Sequence, residues 1–302
     1  MHKPNTENKN HLSKKGFLEN RFFAMRHGQS LANVQKRIAS DPESATTNFG
    51  LSKLGKSQAN HAGKKLVEAF CKEHSRNHTT STSATPPAGI LVLTSDLKRA
   101  KETAETLVKA IVEHNEDILL CRQRDLRPGT GTDDNNNRDD EDYDPNQETI
   151  IPLYGANLAQ QRLFIQTYDD DPQPTIEPRL RERWFGSWDG RSDRHYQDVW
   201  DQDKVNPRHT LEGVESVWSV FDRATQTICD YENLVLLRLY NNNNHHETNS
   251  CDKPHCVWIV CVAHGDVLQI LQTAFAGIDP RHHRSLEHLD TAVLRPLRFH
   301  VE

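Results

Sequence analysis

The stretch FFAMRHGQSLAN, residues 22–33, joins two kinds of chain. Its first half, with Arg21 before it, is a short apolar run of the kind that forms a buried strand. Its second half sets a cation beside an imidazole, then a glycine and small polar residues. A charged pair placed where a strand stops asks for partners from elsewhere in the sequence.

The same alternation recurs along the chain. Residues 51–70, opened by Ser52 and carrying Leu54, Ala59, Ala62, Leu66, Val67 and Phe70, follow the period of an amphipathic helix. After a Ser/Thr/Pro-rich linker at residues 74–88, GILVLTSDLKRAKETAETLVKAIVEH predicts a strand ending near Thr94 and a helix capped by Ser95 or Asp96. DILLCRQ, residues 117–123, reads as a third strand, and a long helix is expected over residues 214–240. CVWIVCVAHG, residues 256–265, is a near-continuous apolar strand leading into a helix over residues 266–276. Strands alternating with helices predict an α/β fold: a three-layer α/β/α sandwich with a mostly parallel central sheet.

The chain has 302 residues, 35% of them hydrophobic, enough for one sizeable core. One domain over residues 21–302 is expected after a polar tail at 1–20, interrupted by low-complexity insertions at 74–88, 127–148 and 241–254. The acidic, Asn-rich insertion lacks the glycine and terminal glutamate of a calcium loop.

A formal net charge of −6 gives no global attraction to nucleic acid or anionic membranes, so neither is expected as a partner. The longest apolar run, residues 257–263, is too short to span a bilayer, and residues 1–20 lack the apolar core of a signal peptide. A soluble cytoplasmic protein is the expectation. Six scattered cysteines fit reduced thiols, and Cys251 and Cys256 with His245, His246 and His255 match no compact zinc spacing, so no metal is expected there.

Three strand ends carry chemistry: Arg26-His27-Gly28, then Ser95 to Arg99, then His264-Gly265. In open α/β sheets the ligand lies outside the carboxyl ends of the strands, where these groups can meet. Guanidinium forks match phosphate oxygens, helix N-termini add N–H donors, and imidazole can be a neutral nucleophile or a charged stabiliser. The pocket suits a phosphate dianion.

At these residues the chain resembles the histidine phosphatase superfamily, the phosphoglycerate mutase-like fold. Arg26, His27, Gly28, Ser30 and Asn33 match its opening motif, and LSKLGKSQA (51–59), TSDLKRAKETA (94–104), LRERWFGSWDG (180–190), GVES (213–216) and VAHGD (262–266) are similar to its further blocks, in order. The resemblance implies that His27 becomes transiently phosphorylated and that Arg26, Arg99 and His264 bind phosphoryl oxygens. Asn33 would be a further contact, with Ser30 either beside it or merely satisfying the loop. Glu182 would donate the proton to the leaving alcohol, with Glu215 as the alternative. No cofactor is implied for a phosphatase.

Two positions depart from the family pattern. Gln29 stands where Glu is common, and Asp266 stands where Gly is common; Asp266 is expected to raise the pKa of His264. The pocket's cations are expected to lower the pKa of Glu182 until phosphate neutralises them. Trp184, Phe185 and Trp188 read more as core than as pocket wall, and RHHR at 281–284 reads as solvated surface.

Within the family resembled, cofactor-dependent mutases carry a longer insertion with paired arginines, whereas the interval 191–211 here is short and holds no adjacent Arg pair, so the resemblance implies phosphate monoester hydrolysis. The alternatives are a cofactor-dependent phosphoglycerate mutase and a weakly active phosphate-binding relative. A small phosphorylated metabolite or a phosphoprotein fits as substrate.

Overall fold

The computed structural model describes residues 10–15, 17–79, 87–125, 173–243 and 256–300. Its strands are β1 (Arg21–Arg26), β2 (Pro87–Thr94), β3 (Thr175–Ile176), β4 (Cys256–Ala263) and β5 (Leu294–Leu297). They form one sheet in the order β3-β2-β4-β1-β5, parallel except for β5, which runs antiparallel to β1. The central β4 is buried at every residue, as a parallel strand covered on both faces must be.

The helices are α1 (Leu31–Val34), α2 (Pro42–Ala45), α3 (Lys53–Thr79), α4 (Lys98–Asp125), α5 (Tyr196–Val205), α6 (Val217–Asn243) and α7 (Gly265–Ala276). From β1 the chain crosses through α3 to β2 and through α4 to β3. It then reverses through α6 to β4. Right-handed crossovers therefore place α3 and α4 on one face and α6 and α7 on the other. The contacts agree: α3 packs on α4 and β2, while α7 packs on α6 and β1. The helices that follow the neighbouring strands β1 and β4 leave to opposite faces, so a crevice opens beyond the carboxyl ends of those two strands.

The structure corrects several boundaries. Residues 117–123 lie in the last turns of α4 rather than in a strand. No Gly or Pro interrupts residues 98–127, so nothing in the backbone stops the helix, and a short apolar run does not by itself distinguish the two forms. Helix α3 runs to Thr79 and β2 starts at Pro87, which trims the first insertion at both ends. Helix α6 likewise runs to Asn243, while the acidic segment 127–148, Cys251, His245, His246 and His255 lie outside the described residues.

Part of the expected tail belongs to the domain. A turn at His11–Lys14 buries Leu12 completely in the main core, and Lys15 Nζ reaches Asn233 on α6 at 2.8 Å. Asn20 is buried, donating to Glu232 at 2.9 Å and accepting from the N–H of Val257 at 2.9 Å. Among the described residues no helix is long and apolar enough to cross a membrane.

The loop after β1 is fixed by backbone touching backbone. A Cβ on Gly55 would stand 2.1 Å from the carbonyl oxygen of Gln29, and one on Gly28 would stand 2.5 Å from that of Gly55. Neither backbone can yield without moving a helix or the strand end. Gly55→Ala is therefore expected to destabilise the protein by about 2 kcal/mol or more, read as a lower urea midpoint at unchanged slope. A midpoint equal to that of the parent would show that the two segments are not so close.

Candidate active site

His27 continues the β1–β4 ladder by one bond, its N–H donating to the Ala263 carbonyl at 2.9 Å. Its Nδ1 lies 2.7 Å from the carbonyl oxygen of Gly28, which accepts only, so Nδ1 carries the proton and Nε2 presents its lone pair. That lone pair accepts from Nε of Arg99 at 3.0 Å. Burial, then the charges of Arg99 and Arg26, hold the imidazole pKa well below its ordinary value. The ring is kept neutral.

His264 occupies the equivalent place after β4, its ring centroid 5.2 Å from that of His27. It is the N-cap residue of α7, and its side chain does not cap that helix. Its Nε2 lies 3.0 Å from Oγ of Ser95, and its Nδ1 is buried without a partner. Ser95 follows β2 and is tied to β4 by its N–H, 3.1 Å from the carbonyl of Val262. All three strand ends meet as expected. The His264 pKa is lowered by burial and then by Arg99 and His27, against the expectation that Asp266 would raise it.

Arg99, in the first turn of α4, is buried, and its Nη1 has no partner. Thr103 steadies it, accepting from the N–H of Gly28 at 3.0 Å and donating to the Arg99 carbonyl at 2.6 Å. Arg26 is anchored through Nη1 to His288 Nε2 at 2.8 Å and the Leu289 carbonyl at 3.3 Å, while its Nε is buried and unpartnered. A Cβ on Gly265 would stand 3.5 Å from that Nε, so the guanidinium lies against the opening of α7.

The two candidate acids separate clearly. Burial, then the charge of Asp266, pushes the Glu182 carboxyl up to about 7, against the opposing pull of Arg99 and Arg26. The expected lowering by the cations is outweighed. Burial also pushes Glu215 up, but its two-pronged pair with Arg223, 2.9 Å at each prong, leaves its pKa below the ordinary value. Glu215 is a fixed anion, and its contacts to Ser219 and to the N–H of Trp184 make it a brace for the loop.

Asp266 does not reach His264. It accepts from Trp200 Nε1 at 2.9 Å and Arg183 Nη1 at 3.2 Å, with His283 Nε2 3.5 Å away. Arg183, fully buried, also grips Asp203 with both prongs at 2.7 Å, and His209 Nε2 lies 2.8 Å from the same carboxylate. This buried charge network was not legible in the sequence, although Arg183 lies in the same block as Glu182.

Ser30 and Asn33 face each other in a capping box. Ser30 donates through N and Oγ to Asn33 Oδ1 at 3.0 and 2.9 Å, and Asn33 N donates back to Ser30 Oγ at 3.2 Å. Gln29 fastens the same loop to α3. Its Oε1 accepts from Ser52 Oγ at 2.8 Å, and its N–H donates to Gln58 Oε1 at 2.9 Å. Phe185 is buried in a small satellite core with Ile38, Val199 and Val214, on which Trp188 packs, while Trp184 stays at the surface. RHHR is solvated surface only in part: His282 is exposed, but His283 is fully buried, and Arg284 lies over the Trp200 ring, 3.7 Å from its centroid. The acidic network draws His283 inward.

The fold and site define an α/β protein with a paired-histidine, two-arginine pocket at the switch point of its sheet. The model of the histidine phosphatase superfamily (branch 1) matches residues 22–119 and 162–302, and the chain belongs to that superfamily. Comparison with curated protein sequences gives no match. Among solved structures, a mycobacterial glucosyl-3-phosphoglycerate phosphatase is 17% identical, with a TM-score of 0.49 over 92% of this chain and 89% of that one. The α-ribazole phosphatase of Shigella flexneri is 16% identical, with a TM-score of 0.46 over 91% and 89%. A protein described as mycobacterial hydrolase 1 is 18% identical, with a TM-score of 0.49 over 92% and 88%.

Removing one partner from a buried ion pair strands the other charge. Asp203→Ala, which takes the two-pronged partner from the fully buried Arg183 and leaves it the 3.2 Å pair with Asp266, is expected to cost about 3 kcal/mol of stability in urea unfolding, the low end for a broken buried pair. A loss below about 1 kcal/mol, the range of an exposed pair, would show that water reaches the network.

Proposed function

We propose that the protein hydrolyses phosphate monoesters through a phosphohistidine at His27. The observation that carries this reading is a set of buried polar atoms without partners: Arg26 Nε, Arg99 Nη1 and His264 Nδ1. Each such atom costs about 1–3 kcal/mol unless something occupies it. All three belong to side chains gathered at the strand ends beside His27, and a phosphate dianion offers the acceptor oxygens they lack.

In this reading Arg26, Arg99 and His264 hold the equatorial oxygens, and His27 Nε2, released by Arg99, attacks phosphorus in line. The N–P bond forms as the P–O bond to the alcohol breaks, and Glu182 gives its proton to the departing oxygen. Glu182 then takes a proton from water, whose oxygen attacks phosphorus as the N–P bond breaks and phosphate is released. Burial and the Arg charges keep His27 neutral as the first step requires, and the raised Glu182 pKa keeps its proton available near neutrality. Ser30, Asn33 and Gln29 serve by holding the loop that presents His27.

Hydrolysis of p-nitrophenyl phosphate by the native protein, with His27→Ala as control, tests the reading. Loss of turnover by roughly a thousandfold or more in the variant is expected, and equal rates would sink the proposal. Glu182→Gln is expected to slow an alkyl phosphate by roughly a hundredfold or more and p-nitrophenyl phosphate far less, because nitrophenolate leaves without a proton.

The acid form of Glu182 is lost as pH rises through about 7, so kcat/KM for the alkyl ester is expected to fall above that point. Asp266→Asn removes a charge that raises the Glu182 pKa, so this basic limb should move to lower pH. A limb that stays in place or moves upward would contradict the assignment.

A further inference from the structure

Arg284 is a third guanidinium at the same pocket, and the chemistry above does not use it. It is half-buried on the turn Pro280–Ser285, and that turn is pinned from within. His283 is fully buried beside Asp266, its Nδ1 donating to the Pro280 carbonyl at 3.0 Å. Its neighbour Arg284 is thereby held over Trp200, 3.7 Å from the ring centroid, while Trp200 is fixed by its own bond to Asp266 at 2.9 Å.

The side chain is preorganised but not neutralised. Its Nη1 donates to the amide oxygen of Gln269, one turn into α7 from Gly265, and among the described residues it makes no ion pair. The carboxylate that faces it, Asp266, is already held by Arg183 and Trp200. Gln269 stands four residues on from Gly265, against which Arg26 Nε lies, so Arg284 and Arg26 meet the same face of α7. The charges of Asp266, Arg26 and Glu182 act on Arg284 there. A stacked guanidinium with spare donors, a neutral partner and no free carboxylate is a receptor for a planar or tetrahedral anion.

We propose that Arg284 anchors a second anion subsite beside the transferable phosphate, favouring phosphoesters whose alcohol part carries a carboxylate or a second phosphate. The subsite rests on the phosphatase reading for its first anion, since only an ester already seated against Arg26 and Arg99 brings its other end to Arg284. It assigns the pocket a substrate class, anionic phosphometabolites, over esters of neutral alcohols.

The test is the ratio of kcat/KM for 3-phosphoglycerate, and separately for fructose 1,6-bisphosphate, to that for glycerol 2-phosphate. Arg284→Gln should lower one or both ratios by roughly tenfold or more, through KM rather than kcat. The larger fall tells carboxylate from phosphate. Arg284→Lys, which keeps the charge without the fork, should recover part of the loss and serves if the glutamine variant does not fold. Ratios unchanged, or a uniform loss on all three esters, would overturn the subsite. Should the native protein hydrolyse p-nitrophenyl phosphate but none of these three esters, the subsite fails and the phosphatase reading stands. Should it hydrolyse none of the four, the phosphatase reading fails, and calorimetry decides the subsite alone. Tighter binding of 3-phosphoglycerate than of inorganic phosphate, abolished by Arg284→Gln, would uphold it, and equal binding would refute it.

Discussion

The parallel pairing of β1 with β4 is the constraint on which the site depends. Arg26 stands opposite Ala263, and the next ladder bond, from His27 N–H to the Ala263 carbonyl, sets the two histidines side by side at the strand ends. Side chains alternate across a sheet, so a slip of one residue would turn His27 to the other face and dissolve the pocket. The complete burial of β4 guards against that slip, because either neighbouring register puts polar strand-end groups into the apolar layers. Backbone pairing, and not the loop sequence alone, brings residues 27 and 264 within one ring contact of each other.

Around this pair the protein sorts its charges by depth. Two arginines and two neutral imidazoles line the crevice. A layer behind them, Arg183 is matched to Asp203 and Asp266, and that second anion adds to burial in separating Glu182 from an ordinary carboxylate. The site thus holds a carboxyl that keeps its proton beside two guanidiniums that would otherwise strip it. Burial alone points in this direction, and the Asp266 charge reinforces it. Glu215, a short distance along the chain, takes the opposite course because Arg223 meets it with both prongs.

The sequence was most legible where burial is two-sided. Strands β1, β2 and β4 are apolar runs ending in Arg-His, Ser-Asp and His-Gly, and their ends announce both the sheet and the chemistry. Strand β5 carries Pro296, which only an edge tolerates, and β3 is two residues long, so neither leaves a periodic trace. Residues 117–123 misled because a short apolar run suits either a strand or the end of a long helix. His27, Arg99 and His264 were legible from their places after strands. The placements of Asp266, His283 and Arg284 were not, since a charged residue reads as surface until its buried partner is known. Gln29, a departure from the family pattern, has its reason in Ser52 and Gln58, which lie in a distant block.

The central claim is that His27 bonds covalently to phosphorus. Rapid-quench mass spectrometry of the native protein turning over p-nitrophenyl phosphate tests it most directly. The account predicts a peptide containing His27 that gains one phosphoryl group within the first turnover, with acid lability and alkali stability. Phosphate release with that peptide unmodified at every quench time, or the phosphoryl group on another residue, would contradict it.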